Sequence, residues 1–191
     1  MKMNNGKRKV LEAEEVTRLF RELRDRRSAA RDYFAVRLML NTGLRVSELV
    51  SLDVGDVQGR KTVTVRGKGD KVRTVPLSKG IQRHVEDFLR WKRRQGEPLA
   101  LDAPLLVSRK HARLSVRAFQ RLLDKWADST GIAGKITPHT LRRSYATQIF
   151  RDRGNLRVVQ ELLGHSFVST TQIYIDVNER EKVAAVEALA F

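Results

Sequence analysis

The sequence predicts an α+β domain that is mainly α-helical, a helical bundle carrying one small antiparallel sheet. Three observations carry this expectation. Apolar residues recur at i, i+3, i+4 and i+7 through most of the chain. Strict alternation of apolar and polar residues occurs in one stretch only, at residues 61–75. Start and stop signals of the right residue types bracket several of the helical patterns. The 191 residues suit a single domain, long enough to bury a core without disulfide staples.

Taken in order, the first helix is predicted over 13–26, where Val16, Leu19, Phe20 and Leu23 share a face. A second follows over 30–41. Tyr33, Phe34, Val36, Leu38, Met39 and Leu40 make it apolar on most sides, which places it centrally. Thr42-Gly43 breaks it, and a short helix is expected over 46–51. Residues 61–66 alternate, 67–70 (Gly-Lys-Gly-Asp) turn, and 71–75 return, which reads as a hairpin ended by Pro76. The return strand alternates imperfectly, since Val72 and Val75 have opposite parity. Ile81, Val85, Phe88 and Leu89 mark the next helix, ending near Gly96. Leu105, Leu106 and Val107 suggest one short strand. Val116, Phe119, Leu122, Leu123 and Trp126 mark another helix, closed near Gly131. Thr137-Pro138 supplies a capping hydroxyl and a proline at the first helical position, opening a helix that runs to about Arg153 and stops at Gly154. Asn155 caps a further helix that Gly164 ends, and a last helix is expected over 181–189.

Charge is the most unusual property of the chain. Lys+Arg 38 against Asp+Glu 22 leaves +16, and the sequence pI is about 10.9. Such an excess favours a polyanionic partner, because neutralising phosphates releases condensed counterions. No apolar run approaches membrane-spanning length, and the basic start, residues 1–9, has no signal-peptide core behind it. Residues 1–10 are expected to form a flexible basic tail. With no cysteine, a disulfide framework and a cysteine-ligated zinc site are excluded, and a reducing cytoplasm is the expected compartment.

Several residues stand out chemically, each with an ordinary alternative. Arg45 and Glu48 are three apart, so the carboxylate could hold the guanidinium in place or form a plain surface ion pair. His139 and Arg142 have the same spacing near a helix start, and both side chains are expected to project together there. A helix N-terminus favours an anion, so the pair could seat a phosphate, or it could be a capping histidine with a solvated arginine. His165, next to the Gly164 stop, could simply bond the last carbonyls of its helix. Lys68, between two glycines at the hairpin tip, is either a solvated lysine or a mobile proton donor. Tyr174, between Ile173 and Ile175, reads on its own more readily as a core residue with its hydroxyl satisfied than as a nucleophile.

The ordered set is more specific than its parts. Thr42-Gly-Leu-Arg-Val-Ser-Glu-Leu49, Gly67-Lys-Gly69, His139-Thr-Leu-Arg142, Leu163-Gly-His165 and Tyr174 resemble, in order and spacing, the motifs of the tyrosine recombinase family, its Xer-like and phage-integrase branch. The resemblance runs from about Leu11 to the C-terminus. It implies the DNA breaking-rejoining fold and a catalytic domain over 11–191. It also implies a catalytic set of Arg45, Lys68, His139, Arg142, His165 and Tyr174, with Glu48 in support. Arg143 stands where many relatives carry a second histidine. The N-terminal core-binding domain of most relatives is expected to be absent.

What the resemblance implies chemically agrees with the residues. Deprotonating a tyrosine hydroxyl at pH 7 costs roughly 4 kcal/mol, and attack on a phosphodiester builds charge on its oxygens. Fixed arginines lower both costs. The implied product is a 3′-phosphotyrosine, formed on double-stranded DNA without metal or ATP. A monomer in free solution and a tetramer on paired sites are implied, with residues 178–191 exchanged between protomers. Accessory DNA-bending or directionality proteins could act alongside it. A type IB topoisomerase, a non-catalytic DNA-binding regulator and a basic ribosomal component are the rival readings. The first fits the spacing less well, and the other two leave the catalytic set without a purpose.

Overall fold

The computed structural model describes residues 9–24, 30–66 and 72–164. Its elements are α1 (Ala13–Arg24), α2 (Ala30–Thr42), α3 (Val46–Ser51), β1 (Thr62–Arg66), β2 (Val72–Pro76), α4 (Lys79–Arg94), α5 (Val116–Thr130), α6 (Pro138–Arg153) and α7 (Leu156–Leu163). The helical bundle and its small antiparallel sheet are as the sequence predicts. Expectations for residues 1–8, 25–26, Lys68, His165, Tyr174, the 181–189 helix and the 178–191 segment lie outside the described residues.

The centre of the bundle is α2, packed against α1, α4 and α6. Phe34, Ala35, Val36, Leu38 and Met39 are all buried, which explains why its sequence shows no polar face. Phe34 stacks on Phe88 of α4 with ring centroids 4.1 Å apart. The main core runs from Leu11 to Leu141, and a smaller one, Tyr145, Ala146, Val159 and Leu163, lies between α6 and α7. No helix among the described residues is long and apolar enough to cross a membrane.

Helix starts follow the capping chemistry of the sequence. Ser78, Ser115 and Thr137 accept the backbone N–H of Ile81, Ala118 and Thr140 at 3.3, 3.1 and 3.1 Å. Asn155 accepts those of Arg157 and Val158 at 2.9 and 3.3 Å. Each cap satisfies N–H groups that a helix cannot pair internally.

The hairpin pairs Val63 with Val75 and Val65 with Arg73. Val63, Val65 and Val75 are buried, whereas Val72 is 60% exposed. The imperfect alternation therefore has a cause: Arg73, not Val72, holds the inward position on β2.

The strand expected over Leu105–Val107 does not form. Only isolated bridges occur here, Pro104 with Asp53 just before the run and Val107 with Arg113 at its end; Leu105, Leu106 and Val107 themselves pair in no ladder. All three residues are buried, so the run is a core-lining segment rather than part of a sheet. Leu105 N–H bonds to Leu52 O at 3.0 Å, and Leu106 O accepts from Leu114 N–H at 2.9 Å. Single partners on both sides satisfy the backbone without building a ladder.

Candidate active site

Two glycine turns set the site. Gly43 follows α2 with φ +61°, and a Cβ there would fall 2.3 Å from Cδ1 of Tyr145. Gly164 follows α7 with φ +64°, and a Cβ there would fall 2.7 Å from Cδ of Arg73. Both positions need a left-handed backbone and the missing side chain together, so only glycine fits.

Arg45, two residues beyond Gly43, is the N-cap of α3, and Glu48 is its third helical residue. The sequence expectation of one helix face is thus refined, since the pair forms across the helix start. Glu48 reaches back and accepts the Arg45 backbone N–H at 2.7 Å and its Nη1–H at 2.8 Å. From β2, Arg73 lays a two-pronged guanidinium on the same carboxylate. Its Nη1 donates to Oε1 at 2.6 Å and its Nη2 to Oε2 at 2.7 Å. Its Nε donates to Leu162 O at 3.1 Å. The Glu48 and Arg73 side chains are 3% and 9% exposed, while that of Arg45 is 32% exposed. Of the three, Arg45 is the member that meets solvent.

Arg142 lies beneath this network on α6 and is only 3% exposed. Its Nη1 donates to Gly43 O and its Nη2 to Leu163 O at 2.7 Å. Arg142 thus ties the turn before Arg45 to the end of α7. Arg73 and Arg142 bind consecutive carbonyls, Leu162 and Leu163, at the negative end of that helix. The chain leaves this anchored end through Gly164 directly into His165.

The expectation that His139 and Arg142 project together is corrected. His139, in the first turn of α6, is exposed, whereas Arg142 is buried. The inward face of α6 runs through Leu141, Arg142, Tyr145 and Ala146, all buried where the helix packs near α2. His139 lies between the buried Pro138 and Thr140 and turns to the exposed side of the helix start. Arg143 donates to Lys9 O at 3.2 Å, and Lys9 pairs with Glu15 at 2.8 Å.

Arg73 is the site residue that sequence reasoning missed. A charged residue at the inward parity of a two-stranded sheet was the available signal, since such a position normally takes an apolar side chain.

Electrostatics follows from these bonds. Burial pushes the Glu48 carboxyl up, but the Arg73 fork and the Arg45 N–H groups outweigh it. The group falls from its ordinary 4.5 to about 2. The charged form is therefore favoured by folding. Its stabilisation is complete above about pH 4.5 and is lost as pH falls towards 2, on the order of 3 kcal/mol in all. Urea melts of the wild type and Glu48→Gln should show a stability gap that closes across this window. A gap constant from pH 5 to pH 2 would contradict the pairing.

The helical bundle with its small sheet, and the arginine-bearing glycine turn within it, suit the expected class, the tyrosine recombinase catalytic domain. Comparison with known proteins agrees. Residues 9–181 match the model of the phage integrase family, and the chain belongs to that family. It is 44% identical over 168 residues to tyrosine recombinase XerC of Vibrio campbellii, covering 87% of this chain and 53% of that protein. To XerC of Thermodesulfovibrio yellowstonii it is 37% identical over 158 residues, covering 81% of this chain and 52% of that protein. The chain thus spans about half the length of these curated relatives. The crystal structure of XerA recombinase superposes with a TM-score of 0.81 at 30% identity, over 100% of this chain and 67% of that one. A post-cleavage complex of XerH with palindromic difH substrate shares the fold, with a TM-score of 0.79 at 24% identity, over 98% of this chain and 55% of that one.

Proposed function

We propose that this chain is the catalytic domain of a site-specific DNA recombinase that cuts and rejoins double-stranded DNA through a phosphotyrosine at Tyr174. The observation that carries the reading is the Gly43–Arg45 turn. One end of this turn is held by a buried arginine and the other presents an arginine to solvent. The net charge of +16 supports a DNA partner.

In the proposed step, the Tyr174 oxygen attacks the scissile phosphorus and its proton leaves to a base, a role suited to His139. The P–O5′ bond breaks, and Lys68 protonates the departing 5′ oxygen. Arg45 pairs with the non-bridging oxygens, and His165 adds a hydrogen bond to them. Arg142 supplies positive charge from a buried position, where a low dielectric strengthens its field. The covalent bond conserves the phosphodiester energy, so rejoining is the reverse reaction with a new 5′ hydroxyl. The terminal segment 178–191 is proposed to bridge neighbouring protomers in a tetramer on paired sites.

The test is capture of the covalent intermediate. The protein is incubated with nicked duplexes of randomised core sequence, which lose the short strand after cleavage and so trap the adduct. Denaturing gels should show a slower protein–DNA band, and peptide mapping should place the nucleotide on Tyr174. Absence of a band across the library, with duplex binding retained, would overturn the catalytic reading in favour of a DNA-binding regulator.

A further inference from the structure

We infer that Arg73 is a positioning residue that keeps Arg45 available to the DNA phosphate by occupying the Glu48 carboxylate. The inference rests on the proposed strand-cleavage reading and adds a residue to it.

The geometry divides two arginines between two tasks. Arg73 takes both Glu48 oxygens with a matched fork, at 2.6 and 2.7 Å. The guanidinium of Arg45 takes one oxygen through Nη1, at 2.8 Å. Two positive groups and one negative group leave the network with one unit of positive charge. The member exposed to solvent, Arg45, is the one held most loosely by the carboxylate. Without Arg73, Glu48 and Arg45 would pair one to one. The carboxylate could then turn both oxygens to Arg45, and a phosphate would have to compete with it for that guanidinium.

The surroundings of Arg73 fit this role. Its side chain is fixed by a third bond, Nε to Leu162 O at 3.1 Å. Gly164 leaves the space that Arg73 Cδ occupies. Lysine has no planar fork and could not hold both oxygens and Leu162 at once. Holding Glu48 from the β2 side also ties β2, α3 and the end of α7 together.

The experiment is a double-mutant cycle on the full chain with Arg73→Met, Glu48→Gln and the pair, run on a duplex captured in the adduct screen. Arg73→Met should slow adduct formation on the order of 100-fold. The double variant should be several-fold faster than Arg73→Met, because a neutral amide leaves no charge to be cancelled. Arg73→Lys, which keeps the charge, should fall between Arg73→Met and the wild type, and it serves as the comparison if Arg73→Met fails to fold.

A second readout does not need catalysis. The slope of log K against log salt for duplex binding should fall by about 0.9 in Arg73→Met, the change for one phosphate left unneutralised, and recover in the double variant. A double variant no faster than Arg73→Met, with an unrecovered slope, would make Arg73 a purely structural residue and overturn the inference. So would Arg73→Met behaving as the wild type. Wild-type protein that forms no adduct would instead count against the cleavage reading, and the salt slopes would still decide the role of Arg73.

Discussion

Tyr174→Phe is expected to abolish the covalent adduct while duplex binding persists, and Tyr145→Phe is expected to leave both intact. The chain has three tyrosines. Tyr33 lies in a cluster with Phe20 and His84, its hydroxyl accepting a bond from Arg37 at 2.7 Å. Tyr145 is near the cationic network but is only 7% exposed, with its ring against Gly43. Burial pushes its hydroxyl up, and Arg142 and Arg73 only partly offset this. A phenol harder to ionise and closed off from solvent is a poor nucleophile. Tyr174, the nucleophile of the proposed function, is the residue whose oxygen should bond to phosphorus, and phenylalanine removes this oxygen alone. Quantifying adduct on nicked duplexes, alongside a binding assay, checks both variants. An adduct that survives Tyr174→Phe and disappears in Tyr145→Phe would reverse the assignment.

How far the site could be read from sequence depended on whether each residue's role was local. Capping hydroxyls, glycine stops and the Arg45–Glu48 spacing act within a few residues, and they were legible for that reason. Arg73 acts through Glu48, 25 residues away in sequence, and Leu162, 89 away. No window of the sequence contains that relation. Only the parity of β2 hinted at it, and an arginine among valines reads by default as an outward residue. The same limit explains Arg142. Its spacing from His139 was visible, but its direction was set by packing of α6 on α2, which lies about 100 residues earlier along the chain. Leu105–Val107 misled for the opposite reason. A short buried apolar run looks alike whether its partners form a ladder or single bridges.

Arg142→Ala is expected to lower both stability and rate, and its two effects can be separated. The buried guanidinium satisfies the carbonyls of Gly43 and Leu163, and its loss leaves both without that partner. The stability cost should be on the order of 3 kcal/mol. Loss of its field at the phosphate should slow adduct formation by roughly 100- to 1000-fold beyond anything unfolding explains. Arg113 provides the control. It also binds backbone carbonyls, those of Val50, Ser51 and Leu52 at 3.2, 2.8 and 3.0 Å, and it pairs with Asp53 at 2.5 Å. It does so at the C-terminal end of α3, opposite the end that holds Arg45. Arg113→Ala should therefore lower the melting temperature yet leave the adduct rate of the folded protein near wild type. Thermal melts and single-turnover cleavage, measured below both melting points, give the comparison. Should the two variants lose rate in proportion to stability, Arg142 would be a brace for the fold alone. Should Arg142→Ala lose rate far beyond its loss of stability, the buried charge itself acts on the reaction. Arg142→Lys then tests the geometry, because a single ammonium cannot bridge two carbonyls as the guanidinium does.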